Sequence, residues 1–579
     1  MRNIDWIVVG SYLIIPLIIG AVFLKRAGRS IEDFFVAGRN LPWWIIGISA
    51  VATYTDAGLA PAVTMWVYQG GLLGNGVWWI PYVIWMPLSA VLWSKFWRRL
   101  KTVTTAEFLQ IRYRGSISEI YRCVYAFFMS FGYIVVLMGY VSGWMSIALS
   151  PVLGWSPFQM ILIAGVVTLI YTTMAGLYGT AYNDIYEFLI FLIGNSILVP
   201  FVLFRVGGME KVFQGVYHLR GSNAEEFFNV IPPSQNLTEL TIFAFIIQGM
   251  FFAASPTGGE GFTAQKFMAA KNEFHAQVGQ LFNSALTLII RVIPFIFLGI
   301  IAASIFPVGM FKEPGEIWAN VVKIFAPVGL KGLLVAGIFA AYMSTIGTEM
   351  NWGASYVVND IYRKVNRKAS NKHYVLIGRI ASIVIFILSL IISYLFVKGM
   401  TAWFLFINSV VFAFILPLSW LRFFWWRMNI YGEAAALILG LPLGYIIWFP
   451  LGFSNNPFWQ GFLLLFGIGL VVIVFTALIT PSEKLDTLIE FYKRCRPPGF
   501  WSPVTKIFSE EERVSIKEET LRDIIDCFLG ITFAGSLILS IISIFGKHIN
   551  IFIVSILVSL LSGSLFFLRW MRRGVFHSL

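Results

Sequence analysis

The sequence is poor in the residues on which most soluble enzymes depend. Charged residues make up only 12% of its 579 positions, and its five histidines are scattered. The three cysteines, Cys123, Cys495 and Cys527, are far apart and show no paired spacing, which argues against a disulfide framework or a thiolate metal site. No nucleophile motif, phosphate-binding glycine-rich loop or zinc-type spacing occurs. We therefore predict that the chain is not an enzyme.

Long apolar runs fill the sequence instead, since 58% of the residues are hydrophobic. A transmembrane helix needs roughly 20 such residues. This pattern predicts an all-α polytopic membrane protein embedded in a lipid bilayer. Counting runs gives about 15 helices, at 5–25, 43–70, 77–97, 118–150, 157–175, 183–205, 237–270, 277–305, 317–357, 374–397, 401–426, 431–453, 457–480, 521–546 and 549–570.

Basic residues cluster in particular loops, although the long outer loop at about 206–236 also carries a few; the net charge is +13. Alternate loops contain "KRAGRS", "WRRLK", "IRYRG", "IYRKVNRK" and "YKRCR", whereas the loops at 71–76, 151–156, 398–400 and 454–456 contain almost no Lys or Arg. Basic loops face the cytoplasm in membrane proteins. We therefore predict a plasma (inner) membrane protein with its N-terminus outside and its C-terminus inside, and no nucleic-acid partner.

Composition also divides the chain. The segment 481–520 contains "RCRPPGF" and "SEEERVSIKEE" and reads as a cytoplasmic linker. We expect five regions: a leading helix and loop (1–42), a transport core (43–427), two additional helices (428–480), this linker (481–520), and two C-terminal helices with a basic tail (521–579).

Two predicted helices are interrupted in the same manner. The stretch "VATYTDAGLAPAV" at 51–63 and the stretch "AASPTGGEGF" at 253–262 each place Gly, Pro, hydroxyls and one acid between apolar halves. Inside the bilayer, a non-helical segment of backbone is tolerated only if it is buried in protein or lines a water-filled cavity. An ordinary kink is the alternative for each. The interrupted helices are the second and the seventh, five positions apart, so they should cross the membrane in opposite directions. The pattern therefore favours an inverted repeat with a binding site at the breaks.

The chain resembles the sodium:solute symporter family. The resemblance covers about residues 5–480 and rests on "IEDFFVAGRNLPWW", "TTAEFLQIRY", "AGLYGTAYNDIYEF", "QKFMAAKNEFHAQ" and "AAYMSTIGTEMNWGASYVVNDIYRK", in the family's order. It implies a leucine-transporter-type inverted repeat of five plus five helices, with one leading helix and about four trailing helices.

Small and hydroxyl residues recur at steps of three and four in "AAYMSTIGT", so Ala341, Ser344, Thr345 and Thr348 share one helix face. Hard cations prefer several oxygen ligands. The hydroxyls could alternatively bond back to their own helix. The resemblance implies that sodium is the coupling ion, and that its ligands are the carbonyls of Ala52, Thr55 and Ala341 and the hydroxyls of Ser344 and Thr345.

Asp184, in "YNDIYEF", matches an acid on the inward sodium-release path of sugar-transporting relatives. Its alternative role is to cap the N-terminus of the predicted helix 183–205.

Ionisable residues inside a membrane are functional candidates by default. Asp56 and Glu260 lie in the two breaks, and Arg291 lies in "ALTLIIRVIPFIF". Asp56 could serve the ion, the solute or a proton, and Glu260 and Arg291 could instead form a salt bridge. By resemblance, Glu260, Arg291 and Asn408 correspond to polar residues that bind the solute.

The expected pocket departs from that of sugar transporters, because apolar Leu59 and Leu137 and bulky Trp79 stand where those relatives offer polar contacts. Tyr54, Trp66, Trp78 and Trp79 lie near the expected cavity. Two acids with aromatic walls suit an organic cation or zwitterion. An acidic solute held by Arg291 is the opposite possibility.

We therefore predict a sodium-coupled symporter that imports a small polar solute by alternating access. A proton-coupled transporter and a transporter-like membrane sensor are the alternatives. The sequence does not indicate an oligomeric state.

Overall fold

The structure is a computed structural model that describes residues 1–230, 239–253, 255, 259–396, 414–453 and 458–572. Within these ranges, ten helices are long and apolar enough to cross a membrane. The only extended pairings there are two isolated bridges, Leu41 with Ala270 and Trp425 with Phe500. The prediction of an all-α polytopic membrane protein is confirmed.

The main helices are, in chain order, α1 (Asn3–Ala27), α2 (Trp43–Tyr54), α3 (Leu59–Gly70), α4 (Gly76–Leu88), α5 (Ser116–Leu153), α6 (Pro157–Val206), α7 (Glu239–Phe252), α8 (Gly261–Met268), α9 (Glu273–Ile305), α10 (Ile317–Phe325), α11 (Leu330–Tyr356), α12 (Asn371–Phe396), α13 (Leu416–Phe424), α14 (Ile430–Trp448), α15 (Phe458–Ile479), α16 (Leu485–Cys495), α17 (Glu510–Phe545) and α18 (Ile549–Arg572).

Both predicted interruptions are present. One helix stops at Tyr54 and resumes at Leu59, and the other stops at Phe252 and resumes at Gly261. The predicted helices 43–70 and 237–270 are therefore the broken pairs α2/α3 and α7/α8.

The helices pack as two groups. The first, which we call the bundle, contains both broken pairs together with α4 and α9: α9 packs along α2 and α3, and α7 packs along α4. The second, which we call the scaffold, contains α5, α6, α11 and α12, which pack on one another. The leading helix α1 lies on the scaffold, against α6 and α11.

Helix α6 joins two predicted helices, 157–175 and 183–205, into one. The chain stays helical through this region except at Gly176, whose φ of 51° and ψ of −142° produce a kink. A Cβ at Gly176 would lie 2.3 Å from the carbonyl oxygen of Phe34, so glycine is required both by the backbone angles and by the close approach. The glycine was visible in the sequence, but it bends the helix instead of ending it.

The predicted helix 317–357 is two helices. Residues 326–329, which include Pro327 and Gly329, separate the amphipathic α10 from the long α11. Proline lacks the amide hydrogen, and Gly329 takes a φ of 84°, so the chain turns before α11 begins.

The segment 481–520, expected to be a linker, contains α16 and the first turns of α17. Leu488, Phe491 and Cys495 of α16 are buried. Lys95, just beyond α4, forms ion pairs with Glu519 and Asp523 of α17. The C-terminal helices are thereby attached to the bundle.

Candidate functional site

The first break is a turn closed by Asp56. Thr55 ends α2 with non-helical angles (φ −95°, ψ 69°), and its amide donates to the carbonyl of Ala52 at 3.0 Å. The Asp56 carboxylate accepts a hydrogen bond from the amide of Gly58 at 2.9 Å. An aspartate that bonds its own backbone two residues on is a common turn former. Asp56 therefore shapes the break, whatever else it binds.

Four of the five residues expected to hold sodium lie together between α2 and α11. The Ser344 hydroxyl donates to the carbonyls of Ala52 and Ala341, each at 3.0 Å. The Thr345 hydroxyl donates to the Ala341 carbonyl at 3.1 Å and to the carbonyl of Thr53 at 3.0 Å. Both hydroxyls thus bond back to α11 and also reach across to the broken helix.

This arrangement gathers hard oxygen donors from both helix groups. Ala52 belongs to the bundle, whereas Ala341, Ser344 and Thr345 belong to the scaffold, and all four are buried. The fifth expected ligand, Thr55, is linked to the group because its backbone amide donates a hydrogen bond to the carbonyl of Ala52. Oxygens of this kind are what a hard monovalent cation requires, by analogy with calcium and magnesium sites.

Next to the break lies a small cavity, lined by Leu59, Val63, Asn75, Trp79, Tyr82, Thr287, Leu288, Arg291 and Val292. The expected substrate residues Leu59, Trp79 and Arg291 are therefore brought together. The Trp79 ring nitrogen donates to the carbonyl of Leu288 at 3.1 Å, which fixes the indole as one wall.

Arg291 connects this cavity to the break. Its guanidinium donates to the carbonyls of Tyr54 and Thr287, and it is also hydrogen bonded to the side chain of Tyr82. Arg291 is buried and interacts electrostatically with Asp56, which is half-buried. The base therefore lines the cavity, and the acid of the break lies within its electrostatic reach.

Asn75 is a cavity residue that the sequence did not bring to attention. It is fully buried, and neither of its side-chain polar atoms has a hydrogen-bond partner among the described residues. A buried amide without partners is costly unless a ligand or water completes it. Its position in "GLLGNGVWW", a loop-like stretch, gave no signal that it would line an internal cavity.

Glu260 does not pair with Arg291, so the salt bridge considered as an alternative is wrong. Its carboxylate accepts from Arg422 at 2.7 Å, from Ser419 at 2.7 Å and from Tyr125 at 3.2 Å. Arg422 also binds Glu433. Glu260 thus ties the start of α8 to α13, and its carboxylate is already occupied by protein groups. Asn408, the remaining expected substrate residue, lies outside the described residues.

Asp184 lies inside α6, eight residues beyond the kink at Gly176, so the prediction that it caps a helix N-terminus is wrong. It accepts a hydrogen bond from Ser49 of α2 and lies 3.5 Å from the ammonium of Lys266 in α8. It is therefore buried at the contact between bundle and scaffold, beside the same helix α2 that carries Ala52.

Sequence reasoning also missed several buried ionisable residues inside the described helices, among them Glu187, Lys266, Glu349 and Arg422. A search for charges within apolar runs finds Glu349 in the middle of α11 and Lys266 in "FTAQKFM". Such residues are functional candidates by the same rule that selected Asp56.

Broken helices that gather oxygens and charges inside a helical membrane protein are typical of secondary transporters. The sequence model of the sodium:solute symporter family matches residues 34–440. The chain belongs to this family, so sodium is its coupling ion and a small solute its cargo. The prediction that the chain is not an enzyme is confirmed.

Relatives agree with this assignment. The chain is 26% identical to a sodium/glucose cotransporter of Vibrio parahaemolyticus, over 80% of this chain and 87% of that protein. It is also 26% identical to a sodium/sialic acid symporter of Aliivibrio fischeri, over 68% of this chain and 76% of the relative.

The solved structure of a substrate-bound, outward-open sodium-coupled sialic acid symporter superposes with a TM-score of 0.70 at 21% sequence identity, covering 83% of this chain and 99% of that one. The fold is the leucine-transporter-type five-plus-five inverted repeat, as predicted.

Proposed function

We propose that this chain uses the sodium gradient to import a small zwitterionic or cationic organic solute by alternating access. Sodium binds between α2 and α11, to the carbonyls of Ala52, Thr55 and Ala341 and the hydroxyls of Ser344 and Thr345. The observation that carries this proposal is the hydrogen-bonded group of oxygens contributed by the two helices.

Sodium binding drives the conformational cycle because its oxygens come from both helix groups. A ligand shifts an equilibrium only by its differential affinity for the two states. Sodium that bridges Ala52 of the bundle and Ser344 of the scaffold favours the state in which these groups are close. That state is the outward-open, substrate-competent one, and the coupling is reciprocal, so the solute also strengthens sodium binding.

The solute binds in the cavity at the break. Asp56 offers a negative charge, Arg291 a positive one, and Trp79 and Tyr82 supply aromatic walls. A zwitterion satisfies both charges, and a cation satisfies Asp56 while Arg291 stays bound to the backbone of Tyr54. Sugars are the alternative solutes, because relatives are named for glucose and sialic acid. However, the side chains of Leu59 and Trp79 offer few hydrogen-bonding groups for the hydroxyls of a sugar.

Sodium leaves toward the cytoplasm past Asp184. The basic loops support this orientation, because Arg39 bonds the carbonyls of Lys101 and Met268, and Arg98 bonds those of Ala270 and Lys271. Basic segments thus meet at one end of the molecule, which we assign to the cytoplasm. We place the chain in the plasma (inner) membrane with its N-terminus outside.

A thermal-shift screen with and without sodium tests the substrate class. A ligand that binds only the folded protein stabilises it by about 2.7 kcal/mol at 100 times its dissociation constant. We expect amino acids, betaines or amines to stabilise the protein only in sodium. The hits are then tested for sodium-dependent accumulation in proteoliposomes. A response confined to sugars would contradict the proposed solute class and leave sodium coupling intact.

A further inference from the structure

The turn between α3 and α4 ends in Asn75, whose side chain forms no hydrogen bond within the described residues. Asn75 occupies the N-cap position of α4, where an asparagine usually accepts a hydrogen bond from a backbone amide of the first turn. It makes no such bond. The residue is 0% exposed, and neither its amide oxygen nor its amide nitrogen has a partner there. The side chain lines the cavity beside the first break instead.

Two glycines hold this turn closely against its neighbours. Gly71 has a φ of 66°, and a Cβ there would lie 2.1 Å from the carbonyl oxygen of Phe227. A Cβ at Gly74 would lie 2.0 Å from the carbonyl oxygen of Trp66 in α3. Only glycine permits so close an approach of two backbones. The turn is therefore packed on both sides, and it presents Asn75 to the cavity from a fixed backbone.

The other polar side chains that line the cavity already have partners. The Thr287 hydroxyl donates to the side-chain oxygen of Asn283 at 2.9 Å. Trp79 and Arg291 donate to backbone carbonyls, and Tyr82 is hydrogen bonded to Arg291. The asparagine amide is therefore the group in this lining that still needs hydrogen-bond partners.

The remaining walls of the cavity are apolar. Leu59, Val63, Leu288 and Val292 supply them, and their side chains offer no hydrogen bonds. An unpaired amide in such surroundings costs free energy. A molecule that enters the cavity must therefore form hydrogen bonds with Asn75 or leave its amide unpaired at that cost.

The chemistry of an amide selects the group that can meet it. The Asn75 side chain offers two N–H donors and one carbonyl acceptor, without a charge. A hydroxyl or another amide also donates and accepts, so either group can pair with it in both directions. The charges of the solute are met by Asp56 and Arg291 in the proposed function. Asn75 therefore suits an uncharged hydrogen-bonding group elsewhere on the same molecule.

We infer that Asn75 determines solute specificity by binding a hydroxyl or amide group carried by the zwitterionic or cationic solute. This inference rests on the proposed function, because it requires the solute to occupy the cavity at the break. A solute with a methyl group in place of that hydroxyl fills nearly the same space but leaves the Asn75 amide unpaired. Sites built to hydrogen bond a substrate hydroxyl reject the analogue that lacks it.

The test compares pairs of solutes in which a hydroxyl is replaced by a methyl group: choline with propyltrimethylammonium, L-serine with L-2-aminobutyrate, and L-homoserine with L-norvaline. Their dissociation constants for the purified full-length protein are obtained from melting temperatures at increasing solute concentration, with and without sodium. In sodium, we expect the hydroxyl member of at least one pair to bind about tenfold more tightly than its partner. Asn75→Leu, which has a similar volume but no polar atoms, should remove this preference.

Asn195→Leu is the matched control. Asn195 of α6 is also 0% exposed, but its side chain donates to the carbonyl of Phe191 at 2.8 Å and accepts from Trp318 at 3.0 Å. Its loss should lower the melting temperature without solute and leave the hydroxyl preference unchanged. Asn75→Leu should not lower the melting temperature, because no partner is lost. A fall as large as that of Asn195→Leu would show that the Asn75 amide is structural and would overturn the inference.

The wild type alone also tests the inference, independently of how any variant folds. Equal affinities within every pair, or a preference that Asn75→Leu retains, would overturn the role of Asn75 and leave sodium-coupled import of the solute intact. If none of the six compounds binds in a sodium-dependent manner, the proposed solute class is wrong, and this inference with it.

Discussion

The carboxylate of Asp5 caps the helix that starts beside Gly332. One of its oxygens accepts hydrogen bonds from the backbone amides of Gly329 at 2.7 Å and Gly332 at 2.9 Å. These amides belong to the first turn of α11 and have no partner within the helix. A residue of the leading helix, outside the inverted repeat, thereby secures the helix that carries Ser344 and Thr345.

Replacing Asp5 by Ala should lower the free energy of unfolding by about 0.5–2 kcal/mol, as for other lost caps. The α11 amides would lose their acceptor in a site that is only 1% exposed. Thermal unfolding in detergent measures the effect. Asp5→Asn keeps an acceptor oxygen and should retain most of the stability; an equal loss in both variants would show that charge, not capping, is what matters.

Removing the two hydroxyls of the proposed sodium site should weaken sodium binding. The double variant Ser344→Ala, Thr345→Ala loses two of the five expected ligands, and we expect radiolabelled sodium binding to weaken at least about tenfold, the value of one net hydrogen bond to a charged group.

Ser355→Ala is the control for that experiment, because Ser355 is a buried hydroxyl of the same helix that bonds back to Trp352 at 2.6 Å. It should bind sodium as the wild type does. Sodium affinity that is unchanged in the double variant would rule out these ligands.

Asp56 has two separable roles. Asp56→Asn retains an oxygen that can accept from the Gly58 amide but removes the charge, so the fold should persist while affinity for a cationic or zwitterionic solute falls about tenfold or more. Asp56→Ala should lose both. The two variants are compared by the rise in melting temperature when the solute found by the screen is added. If Asp56→Asn keeps the full solute affinity, Asp56 only stabilises the turn and does not bind the solute.

The Arg422 ion pairs should be structural. Arg422→Met leaves Glu260 and Glu433 without their partner, and breaking a buried pair in this way costs about 3–5 kcal/mol. We expect a strong fall in melting temperature. Arg427→Met removes a neighbouring arginine that bonds backbone carbonyls near α15 and should cost much less. Comparable losses would show that Glu260 and Glu433 do not depend on Arg422.

The breaks were predictable from the sequence because Gly, Pro and an acid together disfavour a continuous helix inside an apolar run. The periodicity of Ser344 and Thr345 likewise placed both hydroxyls toward one neighbour. Both features depend only on residues that are neighbours in the sequence, so the sequence alone is enough to predict them.

Pairing between distant residues was not predictable. Glu260 and Arg422 are separated by 162 positions, and nothing local indicates which base an acid will meet. Lys266 of α8 lies just beyond the second break. Its contacts with α2 and α6 could not be predicted, because they form only when these three helices pack together. The division of 317–357 at Pro327 was missed because the apolar run continues across it.

The attachment of α17 has a mechanical consequence. It packs on α4, its Phe545 contacts Phe297 of α9 with ring centroids 4.9 Å apart, and its Asp523 binds Lys95. All of these contacts are to the bundle. When the bundle tilts against the scaffold, α17 and α18 must move through the surrounding lipid together with it. Bilayer thickness and lateral pressure therefore affect the free energy of the conformational change in the transport cycle.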